Sequence, residues 1–304
     1  VPATRIGVVV VHWRGMDDLR ECLASLADDA ARGVPVVVAL NGSDDFDEAA
    51  AVAACAGVRI VRSETNGGYA AGCNLGWRAM STDIDAVLFL NNDVVVEPGV
   101  VDALAACFEA HPDVGVSGPP VVYHDDPSRL WSLGGRLYRA RGYTRLIGFG
   151  DHGLPSLGST VDFVNGSAIA VRRELLERIS GWDESYFHFW DEVDLCERAR
   201  DAGYQSYVIA GPAIRHKVSA STGHRGSARF TRAQAYYFAR NRARFFARRV
   251  HGLRRFTALA MQPALVAYEC AQARARGNGS DARGLIEGFI DGVRGRSGQR
   301  RGGW

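Results

Sequence analysis

The sequence predicts an α/β protein: a doubly wound, mainly parallel sheet with an arginine-rich helical extension at its C-terminal end. Three observations lead there. Short apolar, β-branched runs alternate with helical patterns four times in the first hundred residues, each run stops at a polar turn, and positive charge gathers beyond residue 228. The 304 residues are 47% hydrophobic, which is enough for a sizeable core.

The first run, residues 5–12, reads as a strand ending at His12, followed by a helix with Leu19, Cys22, Leu23 and Leu26 on one face. A second strand, residues 34–40, ends in Asn41-Gly42-Ser43-Asp44-Asp45, a turn and N-cap for a helix over 48–56. A third, residues 58–61, leads to Asn66 and Gly67, then to Gly68, Gly72 and Gly76, four apart and so on one face of a closely packed helix. The fourth, Ala86 to Leu90, is apolar throughout and stops at Asn91-Asn92-Asp93. Ligands of open α/β sheets bind outside the carboxyl ends of the strands, so His12, Asn41, Asn66 and Asn91 are expected to converge on one edge. Asn and Asp also favour plain strand-ending turns, and both readings of residues 91–93 stand at this point. Under the first, Asp93 offers an anionic oxygen to a hard divalent cation.

A helix over 98–111 and a strand over 114–122 continue the pattern, and residues 124–160, rich in Gly, Arg and aromatics, read as an irregular excursion of the kind that binds or covers ligands. The next strand, residues 161–171, is interrupted by Asn165-Gly166-Ser167, where a ligand can approach the backbone closely. A short helix over 173–179 precedes a second helix starting at Asp191, with Val193, Cys196 and Ala199 inward, Asp194 and Arg198 paired, and Gly203 closing it. Asp191 and Glu192 occupy its first turn, where the helix dipole favours a carboxylate; the pattern fits a general base and equally an acidic cap. A strand at 206–210 then carries the chain to the polar stretch 213–222, which contains His216.

Residues 229–304 hold sixteen arginines against four acidic residues, net +12, whereas residues 1–228 carry −10. Helical patterns at 232–249 and 253–275 mix those arginines with aromatics. Such a region can meet an anionic membrane, nucleic acid or the acidic body of the chain. Six scattered cysteines without Cys-x-x-Cys spacing argue against zinc or a disulfide framework and for reduced thiols in a cytoplasmic protein. No stretch reads as a spanning helix.

Val8-Val9-Val10-Val11-His12-Trp13, Asn66 to Gly76, Leu90-Asn91-Asn92-Asp93-Val94, Trp190 to Leu195, His216 and Tyr237 to Arg242 together resemble, in order and spacing, the inverting family 2 glycosyltransferases of the GT-A fold. The likeness is to rhamnosyl- and galactofuranosyltransferase-like members and covers about residues 6–250. It implies a nucleotide-sugar-binding and catalytic domain over 1–228 and an extension over 229–304. It places Asp93, in the Asn91-Asn92-Asp93 turn, as ligand to Mg²⁺ or Mn²⁺ on the donor diphosphate, with His216 as a later metal or diphosphate ligand. By the same resemblance His12, Asn41 and Asn66 hold base and ribose, and Glu192 is the base with Asp191 its rival. The sequence departs from the family at Leu40, where Asp is usual, and in the reversed order Asp191-Glu192.

The resemblance further implies a nucleoside-diphosphate sugar donor, rhamnose first, and a hydroxyl acceptor that is lipid-linked in similar enzymes, met at the inner face of the membrane; nucleic acid is not expected as a partner. Trp182 and Trp190, with the 124–160 excursion, are expected to wall the acceptor. A sugar nucleotidyltransferase remains an alternative, though His12-Trp13-Arg14-Gly15 is a poor triphosphate loop. A non-catalytic membrane- or nucleic-acid-binding protein also remains, but it leaves the polar strand ends without a purpose.

Overall fold

The computed structural model describes residues 4–217 and 230–300, with 276 and 278 excepted. The polar stretch read through Thr222 is therefore described only as far as Lys217, and the last four residues lie outside the described residues.

Along the chain come β1 (Ile6–His12), α1 (Met16–Ser25), α2 (Ala27–Ala31), β2 (Val36–Asn41), α3 (Glu48–Ala54), β3 (Arg59–Ser63), α4 (Tyr69–Arg78), β4 (Ala86–Asn91), β5 (Val94–Val96), α5 (Val100–Ala110) and β6 (Val114–Gly118). Then follow β7 (Val121–Tyr123), β8 (Leu130–Ser132), β9 (Gly135–Tyr138), β10 (Tyr143–Leu146), β11 (Ser159–Val161), β12 (Ala168–Arg172), α6 (Arg173–Arg178), α7 (Asp191–Asp201), β13 (Gln205–Val208) and β14 (Ile214–His216). Three helices end it: α8 (Arg232–Arg249), α9 (Gly252–Ala275) and α10 (Gly279–Val293).

Eight strands form the main sheet in the order β11-β13-β6-β12-β4-β1-β2-β3. β1 lies parallel between β2 and β4, β2 pairs parallel with β3, and β6 with β13; β12 runs antiparallel between β4 and β6. A strand's side chains alternate between faces, and β1 shows the consequence: Val8 and Val10 join the apolar layer with Leu19, Leu23 and Leu104, while Val9 and Val11 join Phe89, Trp182 and Phe245 on the other side. Covered on both faces, the central strands read as unbroken apolar runs.

The expected glycine packing is present. Gly68 is the N-cap of α4, and Gly72 and Gly76 lie against β1, where an added Cβ would stand 2.4 Å from Val11 Cγ1 and 2.3 Å from Val9 Cγ1. Four expectations need correction. The N-cap of α3 is Asp47, whose side chain accepts from the Ala50 N–H, not a residue of the 41–45 turn. The strand expected over 114–122 is two strands in two different sheets, because Pro119-Pro120 cannot donate to a ladder. The 161–171 strand likewise divides into β11 and β12, which are not neighbours. Residues 124–160 are not irregular throughout: β9 and β10 form an antiparallel hairpin, and β8 joins β5, β14 and β7 in a four-stranded sheet.

Helices α8 and α9 occupy the spans the sequence implied, and α8 packs on the body of the protein: Phe245 and Phe246 are buried in the main core, and Arg249 pairs with the fully buried Asp194 at 2.6 Å. Together with α10, α8 and α9 bury Ala235, Ala239, Val266, Cys270 and Leu285. All six cysteines are buried and unpaired.

Gly76→Ala is expected to destabilise the fold by about 1–3 kcal/mol through overpacking against Val9. Urea unfolding should show part of that loss recovered in the Gly76→Ala/Val9→Ala double variant, whereas strictly additive losses would place the cost elsewhere.

Candidate active site

Four backbone turns leave the carboxyl ends of β1, β2, β3 and β4 on one edge, and hydrogen bonds join them in pairs. His12, fully buried, lies between two partners: Nε2 is 3.0 Å from Asp45 Oδ1 and Nδ1 is 3.2 Å from Asn92 Nδ2. Burial pushes its imidazole below the ordinary value despite the Asp45 charge. Asn92 also donates to the Arg14 carbonyl at 2.8 Å, which ties the turn after β1 to the turn after β4. Asn41 is committed in the same way: its amide donates to Asn66 Oδ1 and the Gly68 carbonyl, and its Oδ1 accepts from the Gly67 N–H. Asn66 Oδ1 further takes the Gly68 N–H. Asn41 and Asn66 thus shape the 66–68 turn that opens α4, at whose N-terminus the helix dipole favours an anion.

At the end of β4, Asn91 is partly exposed and Asp93 is 2% exposed. β14 pairs antiparallel with β5 so that His216 stands opposite Val94, and this register brings His216 Nε2 to 3.3 Å from Asp93 Oδ1. The contact is not aligned as a hydrogen bond, and Asp93 Oδ1 and His216 Nδ1 are buried without one. Burial works against the Asp93 charge, but His216, the backbone N–H and the Asn91 amide outweigh it and hold the carboxyl below its ordinary range. An ionised, orphaned oxygen beside an imidazole fits a divalent cation such as Mg²⁺ or Mn²⁺. Among the described residues no group of three or more His, Cys, Asp or Glu gathers.

Asn165-Gly166-Ser167, just before β12, joins the two halves of the site. The Ser167 carbonyl accepts the Asn91 N–H at 3.1 Å, the Gly166 carbonyl accepts the Tyr69 hydroxyl at 2.9 Å, and a Cβ on Gly166 would lie 3.3 Å from Glu192 Cβ. The 91–93 turn, the start of α4 and the acidic helix therefore meet at the Gly166-Ser167 segment.

Asp191 is 4% exposed with a buried, unpartnered Oδ2, and Glu192 is half-buried. Desolvation raises both carboxyls above their ordinary range, and Glu192 is raised further by the adjacent Asp191 charge. A carboxyl raised towards neutrality is suited to accept a proton from a substrate. The helix that carries them begins under strain, because Phe187, Phe189 and Trp190 all have positive φ. For bulky residues each such conformation costs about 1–3 kcal/mol. Gly68, at φ +91, passes so close to this segment that an added Cβ would lie 2.3 Å from the Phe187 carbonyl, which itself accepts the Tyr69 N–H at 2.9 Å.

Two of the expected acceptor walls are buried in the core. Trp182 and Trp190 are 3% and 2% exposed and belong to the core, against Tyr69 and Phe89 in one case and Phe245 and Phe246 in the other. Beside His216 stands Trp131, edge-on at 6.3 Å and in contact with Tyr123 and the exposed Phe149. Tyr69 and Asp45 were not singled out from sequence as site residues, whereas Asn165-Gly166-Ser167 was. Only Gly166 carried a local signal, as a glycine interrupting a strand.

The family described as "Glycosyltransferase like family 2" matches residues 2–246. The chain belongs to this glycosyltransferase family. An N-acetylglucosaminyl-diphospho-decaprenol L-rhamnosyltransferase of Mycobacterium tuberculosis is 31% identical over 245 residues, covering 71% of this chain and 77% of that protein. A pre-mycofactocin glycosyltransferase of the same organism is 30% identical over 210 residues, 66% of this chain and 40% of the relative. Among solved structures, a mannosyltransferase from Pyrobaculum calidifontis in complex with GDP-Man and Mn²⁺ superposes with a TM-score of 0.58 at 19% identity, over 95% of this chain and 87% of its own. GalNAc-T7 with UDP, GalNAc and Mn²⁺ gives 0.61 at 13% identity, over 80% of this chain and 47% of its own. The protein is a glycosyltransferase with the GT-A fold.

Asp93→Ala in this glycosyltransferase is expected to abolish the thermal shift produced by Mn²⁺ together with a nucleoside diphosphate, and with it any metal-stimulated transfer, while the fold is kept. Near-wild-type turnover by the variant would remove Asp93 from the metal site.

Proposed function

We propose that this glycosyltransferase is metal-dependent and inverting, and moves a hexose, rhamnose first, from a nucleoside-diphosphate sugar to a hydroxyl of a lipid-linked acceptor. The observation that carries the reading is a pair of unlike acidic groups bordering the 165–167 turn, where the Asn91 N–H meets the Ser167 carbonyl and Glu192 lies against Gly166. One is ionised and orphaned, Asp93 beside His216; the other, Asp191 with Glu192, has raised carboxyls and stands at a helix N-terminus. Asp93 and His216 would hold Mg²⁺ or Mn²⁺, whose chemistry there is to offset charge on the departing diphosphate. The 66–68 turn and the α4 N-terminus would receive the donor from the β1–β3 side, with His12 and Asp45 beneath base and ribose.

Glu192 retains exposure that Asp191 lacks, so Glu192 is the carboxylate able to reach an acceptor. It takes the acceptor hydroxyl proton as that oxygen bonds to the anomeric carbon. The bond from that carbon to the diphosphate oxygen breaks on the opposite face, and one displacement inverts the centre. Trp131 and Phe149 offer the acceptor an aromatic face beside His216. The decaprenol-linked acceptor named for the rhamnosyltransferase relative supports a lipid-linked substrate, and dTDP- or UDP-sugars are the donors to screen first.

Glu192→Gln is expected to lower turnover by about 10² or more with donor affinity nearly unchanged, and Asp191→Asn to be milder. The wild-type rate should fall with acid at a pH above the ordinary carboxylate range, since protonation silences the base. The stability effect has the opposite sign to the usual salt-bridged acid. A carboxyl raised in the folded state favours folding fully only below its unfolded pKa, and that contribution is lost as pH rises through the raised value. Glu192→Gln should therefore unfold at the same or a higher temperature than wild type near pH 8. A larger loss from Asp191→Asn would move the catalytic role to Asp191.

No helix among the described residues is long and apolar enough to cross a membrane. At the start of α9, Leu253 is 78% and Phe256 71% exposed beside the exposed Arg254 and Arg255, a combination suited to an anionic membrane surface. Replacing the exposed Leu253, Arg254, Arg255 and Phe256 with serine, which leaves the packing of α9 and α10 on α8 intact, is expected to weaken salt-sensitive binding to anionic liposomes while transfer to a short soluble acceptor persists. Equal binding by both proteins would remove the membrane role, and binding by neither would favour a soluble acceptor.

A further inference from the structure

The turn that delivers the acidic helix is built from residues whose own preferences oppose it. Phe187 has φ 66 and ψ −51, and the His188 N–H donates to the Tyr186 carbonyl at 2.8 Å. That is the rare positive-φ form of the γ-turn, followed at once by Phe189 and Trp190, again at positive φ. None of these positions is glycine, so the conformation has to be imposed from outside.

What imposes it comes from α8. Asn241 Nδ2 reaches the carbonyls of Tyr186 at 2.7 Å, His188 at 2.7 Å and Phe189 at 3.0 Å. Arg240 Nη2 donates to the same Tyr186 carbonyl at 2.7 Å, its Nε fixes Asn241 Oδ1 at 2.9 Å, and its Nη1 donates to the Gly298 carbonyl at 2.5 Å. Both side chains are 0% exposed. The hydrogen bonds of the Arg240 guanidinium go to backbone carbonyls and the Asn241 amide, and it lies over the rings of Tyr236 and Tyr237 at 5.6 and 4.8 Å, so its buried charge serves the 186–189 turn and aromatic faces rather than a carboxylate. Arg242, two residues on, shows the ordinary alternative: equally buried, it faces α9 and pairs with Glu269 and Gln262.

We infer that Arg240 and Asn241 are positioning residues for the transfer reaction. By fixing three carbonyls of the 186–189 turn they set the start of α7 and hence the placement of Asp191 and Glu192. The same turn holds α4 through the Tyr69 N–H on the Phe187 carbonyl, so one clamp registers the base against the donor side of the site. This inference rests on the reading of Asp191 and Glu192 as the carboxylates that take the acceptor proton.

The test compares Asn241→Leu and Arg240→Lys with Arg242→Met as a stability control and with Glu192→Gln and Asp191→Asn as controls for the base. For each, kcat and its pH profile, the unfolding midpoint, and the affinity for UDP and dTDP with Mn²⁺ are measured. Asn241→Leu is expected to lower kcat by on the order of 10²-fold and to displace the acid limb of the profile, with nucleotide affinity within about threefold. Arg240→Lys, which keeps the charge but loses the fork, should show the same signature more mildly. Arg242→Met should lower the unfolding midpoint without changing kcat per folded molecule.

Should Asn241→Leu fail to fold, Arg240→Lys decides by the same criteria. Wild-type kcat and profile in the clamp variants, or a loss that Arg242→Met reproduces at equal destabilisation, overturns the inference. If Glu192→Gln and Asp191→Asn both keep full turnover, the reading of the base has failed, an outcome visible independently of the clamp variants.

Discussion

Gly68 and Phe187 touch where neither could tolerate more atoms, and much of the site's geometry follows from that approach. The glycine has the positive φ that lets the chain turn from β3 into α4, and it lacks the Cβ that would collide with the Phe187 carbonyl. Because that carbonyl also takes the Tyr69 N–H, the N-terminus of α4 and the approach to α7 are held in one register. Two helix N-termini, the positive ends of their dipoles, are thereby brought to the carboxyl edge of the sheet. One suits a phosphate and the other a carboxylate base.

Electrostatics at this edge separates the acids by environment rather than by residue type. Asp93 is kept ionised because His216, a backbone N–H and Asn91 outweigh the cost of burial. Asp191 and Glu192, no more deeply placed, lack a cation of their own and resist a second charge. Asp194, one turn into the same helix, takes Arg198 at 2.7 Å and Arg249 at 2.6 Å and is structural. Three acids within four positions of one helix thus divide between raised carboxyls and an ion-paired scaffold acid according to whether an arginine is in reach.

The arginine-rich end of the chain divides similarly. Arg240 holds the 186–189 turn, Arg242 and Arg249 join helices, and Arg254 and Arg255 remain exposed with Leu253 and Phe256. The charge asymmetry visible in composition is therefore not one surface but several tasks, and most of α8 is part of the catalytic body.

The sequence by itself determined the parallel core, the glycine-packed helix and the polar strand ends, because these depend on period, length and turn chemistry within a few residues. It also placed Asn91-Asn92-Asp93 and Asp191-Glu192 at element ends, where unpaired backbone groups and short polar side chains are expected. The tertiary structure decided what required distant partners. His216 meets Asp93 only through the β5–β14 register, Trp182 and Trp190 turn inward because the core claims their area, and Trp131 reaches the site on a short strand that local pattern did not reveal. The strained 186–190 turn had no local signal at all: its residues favour other conformations, and the side chains that hold it lie more than fifty positions further along the chain.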